Sequence, residues 1–242
     1  MKRLHVWLTK EEIQPERLNG AVAVVMDVLL ATTTMVTMVE RGAARVFPVA
    51  SLDEARRLRQ QLASSSPITG GEENGVKVAE FDCGPFPDEF PAERVAGKDV
   101  IFLTTNGTRA VRAAEAAGRL LLGCLRNVPA VAAYLNACEY DNVFLICAGS
   151  KGHFSYEDFL CASEIVGRLD LTGVKLNDAA RLAREMAGQN VLEQLARGRV
   201  GEYFARHQLH HVLQFVGDVG ASRTIVEVKD GRLQKMGKEE QP

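Results

Sequence analysis

Asp27 stands at the carboxyl end of the apolar run Val22-Ala23-Val24-Val25-Met26, and Thr32, Thr33 and Thr34 follow shortly after it. A short β-branched run of this kind reads as a strand buried on both faces. A carboxylate at the end of such a strand, beside a helix amino terminus, lies where open α/β sheets place their ligands. The plainer alternative is that Asp27 caps a turn and the threonines start a helix, and the segment alone favours neither. Two more apolar runs end alike. Asp99 to Leu103 leads into Thr104-Thr105-Asn106-Gly107-Thr108, and Asn142 to Cys147 leads into Ala148-Gly149-Ser150-Lys151-Gly152. Hydroxyls and free amide groups at such turns bind anions, phosphate above all. In a parallel or mixed sheet the three ends can converge on one crevice, with Thr32, Thr33, Thr34, Thr104, Gly107, Thr108, Gly149 and Lys151 as candidate phosphate contacts.

The acids Asp27, Glu72, Glu73 and Asp82 lie near these turns or in a glycine-rich loop. Magnesium takes a few carboxylate oxygens, keeps several waters and bridges readily to a substrate phosphate. A phosphate cradle beside loose carboxylates therefore points to metal-assisted phosphoryl chemistry. One magnesium ion is expected on some of Asp27, Glu72 and Asp82. Zinc is not, because cysteine and histidine form no soft cluster.

Other designs fit less well. A cysteine phosphatase needs arginine six residues after its nucleophile, and His153 occupies that position after Cys147. The haloacid-dehalogenase phosphatases place a second aspartate two residues after the first, where Leu29 stands here; that weakens an aspartyl-phosphate route without removing it. His207, His210 and His211 suit an ordinary helix face, and Ser155 and Ser163 lack a nucleophile-elbow context. Phosphoryl transfer needs a positioned nucleophile and stabilised phosphoryl oxygens. Thr105, Asn106, Gly107 and Thr108 are candidates for stabilisation. Asp27 then activates a water or attacks phosphorus itself, and metal-activated water is the preferred reading.

The chain has 242 residues, which suits one large α/β domain or two intimate small ones. Hydrophobic residues make up 46% and charged residues 25%, enough for a sizeable core in a soluble protein. Lysine plus arginine is 29 against 31 acids, a net charge of -2 that argues against a nucleic-acid surface. No apolar run approaches the roughly 20 residues that span a bilayer. A cytoplasmic location is expected, with a homo-oligomer left open. The five cysteines form no Cys-x-x-Cys pair, so neither a disulfide framework nor structural zinc is expected.

Strand, polar turn and helix recur along the chain, the mark of an α/β sheet with crossover helices. Strands are expected over 2–8, 45–49, 119–122 and 224–228, besides the runs named above. Helices are expected from Thr32 to Gly42, from the capping box Ser51-Leu52-Asp53-Glu54 to about Ala63, from Asn127 and over 156–169. From Ser64 to Pro91 periodicity is lost, and so long an irregular segment is more often functional than idle. The stretch 174–215 reads as mainly helical, and the charged tail from Lys235 as frayed.

Several stretches together resemble the 2-phosphosulfolactate phosphatase (ComB) family. They are Asp27 to Thr34, Gly71-Glu72 with Asn74-Gly75, Phe81-Asp82-Cys83-Gly84, Thr104 to Ala110 with Arg109 inside it, and Cys147-Ala148-Gly149 followed by Phe154-Ser155 and Glu157-Asp158-Phe159. The match covers roughly residues 1 to 170. The resemblance implies a three-layer α/β/α fold with a mixed, largely parallel sheet. It implies a magnesium-dependent phosphatase that converts 2-phosphosulfolactate to sulfolactate and phosphate, in the route to coenzyme M. The family usually carries arginine where Leu30 and Glu73 stand, so a triply anionic substrate meets fewer cations here. A non-catalytic homologue that keeps the anion pocket is the alternative from another class.

Overall fold

The computed structural model describes residues 1–240. The chain opens with β1 (Arg3–Trp7), α1 (Pro15–Leu18), β2 (Val22–Met26), α2 (Ala31–Glu40), β3 (Arg45–Val49) and α3 (Leu52–Gln61). It continues through β4 (Ile68–Glu73), β5 (Val76–Lys77), α4 (Ala92–Val95), β6 (Asp99–Leu103), α5 (Gly107–Ala113), β7 (Arg119–Gly123), α6 (Val128–Ala137) and β8 (Asn142–Cys147). After α7 (Tyr156–Val166) and β9 (Lys175–Leu176) come four helices: α8 (Asp178–Met186), α9 (Val191–Arg197), α10 (Arg199–Arg206) and α11 (His210–Val216). The hairpin β10 (Val226–Lys229) and β11 (Arg232–Lys235) follows.

All strands join one sheet in the order β5-β4-β6-β3-β11-β10-β7-β2-β8-β1-β9. Strand β2 lies parallel between β7 and β8, and β6 lies parallel between β3 and β4. The C-terminal hairpin joins these two parallel wings by antiparallel pairing, β10 to β7 and β11 to β3. Alternate residues of β2 face opposite cores, as a period of two requires. Val22, Val24 and Met26 pack with Val131 of α6 and Phe159 of α7, whereas Ala23 and Val25 pack with Met35 of α2 and Val111 of α5. The sheet thus has helices on both faces, the expected three-layer α/β/α arrangement. Among the described residues no helix is long and apolar enough to cross a membrane.

Four strands separate β2 from β6 in the sheet order, yet their ends meet. A Cβ placed on Gly107, just past β6, lies 2.4 Å from the Ala31 Cβ and 2.8 Å from the Asp27 Oδ2. The twist of the sheet therefore coils the two wings around α2 and α5 until both carboxyl ends reach one place.

The segment Ser64 to Pro91 holds two strands that the lost periodicity conceals. Strand β4 reads Ile-Thr-Gly-Gly-Glu-Glu, a composition depleted of β-formers, and pairing with β6 overrides that preference. Gly71 is required there: its φ is +126°, and a Cβ would lie 1.8 Å from the Leu103 carbonyl oxygen. The expected frayed tail is ordered at its start. Lys235 closes β11, and the buried Met236 donates its N–H to the Ile225 carbonyl at 2.9 Å. The last two residues of that tail lie outside the described residues. The capping box also differs: Ser51 accepts from the Glu54 N–H, while Glu54 reaches back to the N–H of Ala50 rather than of Ser51. All five cysteines are free, as the lack of paired spacing implies.

Candidate active site

A cleft of about 880 Å³ opens where the strand ends converge. Asp27 from the end of β2, Glu72 from β4, Thr104, Thr105 and Asn106 after β6, and Ser150 and Lys151 after β8 all line it. Its far wall comes from Arg199, Val200, Tyr203, Phe204 and Arg206 of α10, and Leu29, Leu30 and Phe86 close one side.

Thr32 fixes the main chain of Asp27 from both directions. Its Oγ1 accepts the Asp27 N–H at 3.0 Å and donates to the Asp27 carbonyl at 2.9 Å. The Thr33 hydroxyl donates to Val28 and that of Thr34 to Pro85, at 2.8 and 2.7 Å. All three threonines are buried and none lines the cleft, so they position the acid and its loop and do not reach a ligand. Thr108 is also internal: it and Thr104 exchange side-chain and main-chain hydrogen bonds that close the first turn of α5. The exposed Arg109 side chain turns to the Ala50 carbonyl at 3.4 Å and lies off the cleft. Gly149 is buried, with its N–H donated to Asp158.

Glu72 accepts the Thr105 N–H at 2.6 Å, the Thr105 hydroxyl at 2.9 Å and the Gly75 N–H at 2.5 Å. One carboxylate thereby pins the turn after β6 to the β4–β5 hairpin. The third expected metal ligand goes elsewhere. Asp82 accepts the N–H and the hydroxyl of Thr69, each at 2.8 Å, and is absent from the cleft lining. Those bonds outweigh its partial burial and hold its pKa below the ordinary carboxylate value.

The Asp27 carboxyl is pushed up to about 7, by burial first and then by the charges of Glu157 and Glu72. The Ala31 N–H and the Lys10 ammonium oppose the rise. A carboxyl in that range is suited to exchanging protons near neutral pH. Asn106 faces the same space. Its Oδ1 accepts from the Lys10 ammonium at 3.1 Å and the Lys151 N–H at 3.3 Å. Both partners are donors, which fixes the amide orientation and turns the Nδ2 hydrogens away from them. Among the described residues Nδ2 bonds to no protein group.

Sequence reasoning assigns no role to three participants: Lys10, which it does not single out, and Glu157 and Asp158, which it quotes only within the family resemblance. Lys10 sits in a polar stretch after β1 that reads as surface, yet its side chain is only 15% exposed and reaches Asn106. Glu157 and Asp158 follow Ser155 at the start of α7 and resemble ordinary first-turn acids. Both are buried. Asp158 accepts the N–H of Val28 at 2.8 Å and of Gly149 at 3.2 Å, tying the loop after β2 to the loop after β8. Burial, then Asp27 and Glu157, raises its pKa well above the ordinary value, and burial raises that of Glu157. The signal available was that two adjacent acids start a helix whose other residues are nearly all apolar.

Asp158→Ala leaves two buried N–H groups without an acceptor, each costing about 1–3 kcal/mol. The variant is expected to lose about 2–5 kcal/mol in urea unfolding, and Asp158→Asn, which keeps an acceptor oxygen, clearly less. Equal stability of Asp158→Ala and the parent chain would remove this tie.

Asp27 and Glu72 are the carboxylates that could hold a metal ion. Among the described residues no three acids, histidines or cysteines cluster in metal-binding fashion. Two carboxylates whose charges raise a pKa together still suit magnesium, which fills its other positions with water and phosphate oxygen. Thiol chemistry does not fit, because Cys147 is fully buried and burial raises its pKa well above the ordinary value.

The chain matches the 2-phosphosulpholactate phosphatase family over residues 7–231. A probable 2-phosphosulfolactate phosphatase of Clostridium beijerinckii is 32% identical over 242 residues, covering 96% of this chain and 98% of its own. A probable 2-phosphosulfolactate phosphatase of Symbiobacterium thermophilum is 40% identical over 173 residues, 71% of this chain and 74% of its own. One from Caldanaerobacter subterraneus subsp. tengcongensis is 37% identical over 179 residues, 74% of each chain. The strand-end motifs, their convergence on one cleft and a match across nearly the whole length agree, and this chain belongs to the 2-phosphosulfolactate phosphatase family.

Proposed function

We propose that this chain is a phosphoric monoester hydrolase, that its substrate is 2-phosphosulfolactate, and that it works with magnesium. The observation that carries the reading is the meeting of Asp27, Glu72 and the Thr105–Asn106 turn at one end of the cleft. Its relatives described as probable 2-phosphosulfolactate phosphatases support the substrate.

The reaction breaks the bond between phosphorus and the ester oxygen while a water oxygen bonds to phosphorus. Asp27 takes the proton that water loses, and that proton goes on to the departing alkoxide. The Nδ2 hydrogens of Asn106 face the phosphoryl oxygens, where negative charge is spread in the transition state, while Thr105, whose N–H and hydroxyl proton both go to Glu72, holds the turn in place. Lys10 holds Asn106 in orientation and adds positive charge close by. Asp27 and Glu72 would hold the magnesium ion, which when bound neutralises phosphoryl charge and polarises water.

The test is phosphate release from 2-phosphosulfolactate by the purified chain with magnesium. Saturable release in the ordinary enzymatic range, about 1–10³ s⁻¹, is expected. Binding of the ester with no phosphate released would show a binding protein that has lost the chemistry.

A further inference from the structure

Among the arginines of the α9–α10 hairpin, Arg199 is set apart. Arg197 pairs with Glu193 at 2.6 Å and Arg206 with Glu202 at 3.1 Å, each one turn back along its own helix. Arg199 has no carboxylate oxygen within 4.0 Å among the described residues. Its charge lowers the pKa of Glu157, but the two groups do not pair directly. Its guanidinium donates instead to the Ser150 hydroxyl at 3.0 Å, on the cleft lining.

Helix stability does not account for this placement. Arg199 is the first residue of α10, at the positive end of the helix dipole, where a cation is mildly unfavourable. The main chain there is nevertheless held closely. A Cβ on Gly201 would lie 1.8 Å from the Leu195 carbonyl oxygen, so α9 and α10 meet backbone to backbone. Arg199 is therefore projected from a fixed base toward the loop after β8. Ser150 adjoins Lys151, whose N–H bonds to Asn106, so the guanidinium stands next to the phosphoryl end of the cleft without belonging to it. The Lys77 ammonium, by contrast, is taken up by the Asp82 carbonyl at 3.1 Å.

We propose that Arg199 is a specificity-determining residue that reads a second anionic group, a carboxylate or sulfonate on the alcohol side of the phosphate ester. The inference rests on the phosphatase reading for its location. The guanidinium fork matches two oxygens of one anion, and a charge-assisted pair of this kind outweighs the single bond to Ser150 that it replaces.

The test compares the parent chain with Arg199→Gln and Arg199→Lys on two esters, 2-phosphosulfolactate and isopropyl phosphate, which carries no second anion. Arg199→Gln is expected to raise KM for 2-phosphosulfolactate, with kcat/KM falling about tenfold to a hundredfold more than for isopropyl phosphate. Arg199→Lys is expected to recover part of that selectivity. An equal fall on both esters, or none on either, overturns the assignment. Calorimetric titration with sulfolactate alone gives a reading independent of turnover. Weaker binding to Arg199→Gln supports the proposal even if no ester is hydrolysed, and equal binding, or none to the parent chain, overturns it. Arg199 is exposed at a helix end, so neither variant threatens folding.

Discussion

Asp27→Asn is expected to lower kcat by about 10²- to 10⁴-fold, the range for losing a positioned general base, and at pH 8 to raise the thermal midpoint of the metal-free chain. Both effects have one cause. The folded-state pKa of about 7 lies above the ordinary 3.8, so folding disfavours the ionised acid. Above pH 7 the native protein carries that carboxylate against the charges of Glu157 and Glu72; well below pH 3.8 the acid is neutral whether folded or not. The stability gained by the amide is thus full above pH 7, fades as pH falls, and is nearly gone by pH 4. Thermal melts of both proteins at pH 4 and pH 8, alongside phosphate release, decide the matter. A variant that loses activity and stability together at pH 8 would make Asp27 a structural residue.

The proposed magnesium ion gives the second large effect. Chelation is expected to stop phosphate release, and Glu72→Gln to raise the magnesium concentration for half-maximal activity roughly tenfold or more. Magnesium should also stabilise the resting protein, because a ligand at about 100 times its dissociation constant adds about 2.7 kcal/mol. That rise in thermal midpoint is expected for the parent chain, reduced for Glu72→Gln and missing for Asp27→Asn. Turnover that survives exhaustive chelation would take the metal out of the reaction.

Much of the site was legible in the sequence because each piece lies beside a buried strand. Apolar runs locate β2, β6 and β8, and the polar residues just beyond them must emerge at the same edge if the strands are parallel. Hydroxyl roles were less legible. Thr32 and Thr33 satisfy carbonyls of their own loop and Thr34 that of the distant Pro85, and nothing in a run of threonines says whether the oxygens face inward or a ligand. Strand β4 was hidden because its glycines earn their place through contact with β6, a partner distant in sequence. Asp82 and Glu72 looked alike in one glycine-rich loop, but Thr69 binds the first and Thr105 the second, and only tertiary structure distinguishes them. Arg199 belongs to a helical stretch whose charges all read as surface.

The hairpin of β10 and β11 has a consequence for how the protein is made. It supplies the middle of the sheet from nearly the last residues described, between strands that emerge much earlier during synthesis. Until it docks, β3 and β7 present unpaired edges, the kind of surface on which nascent chains associate wrongly. The wings that carry Glu72 and Asp27 can each begin to form before their bridge has been synthesised. The pocket therefore matures only once this late hairpin has been made and docked, and a polypeptide truncated before it would keep its halves unjoined.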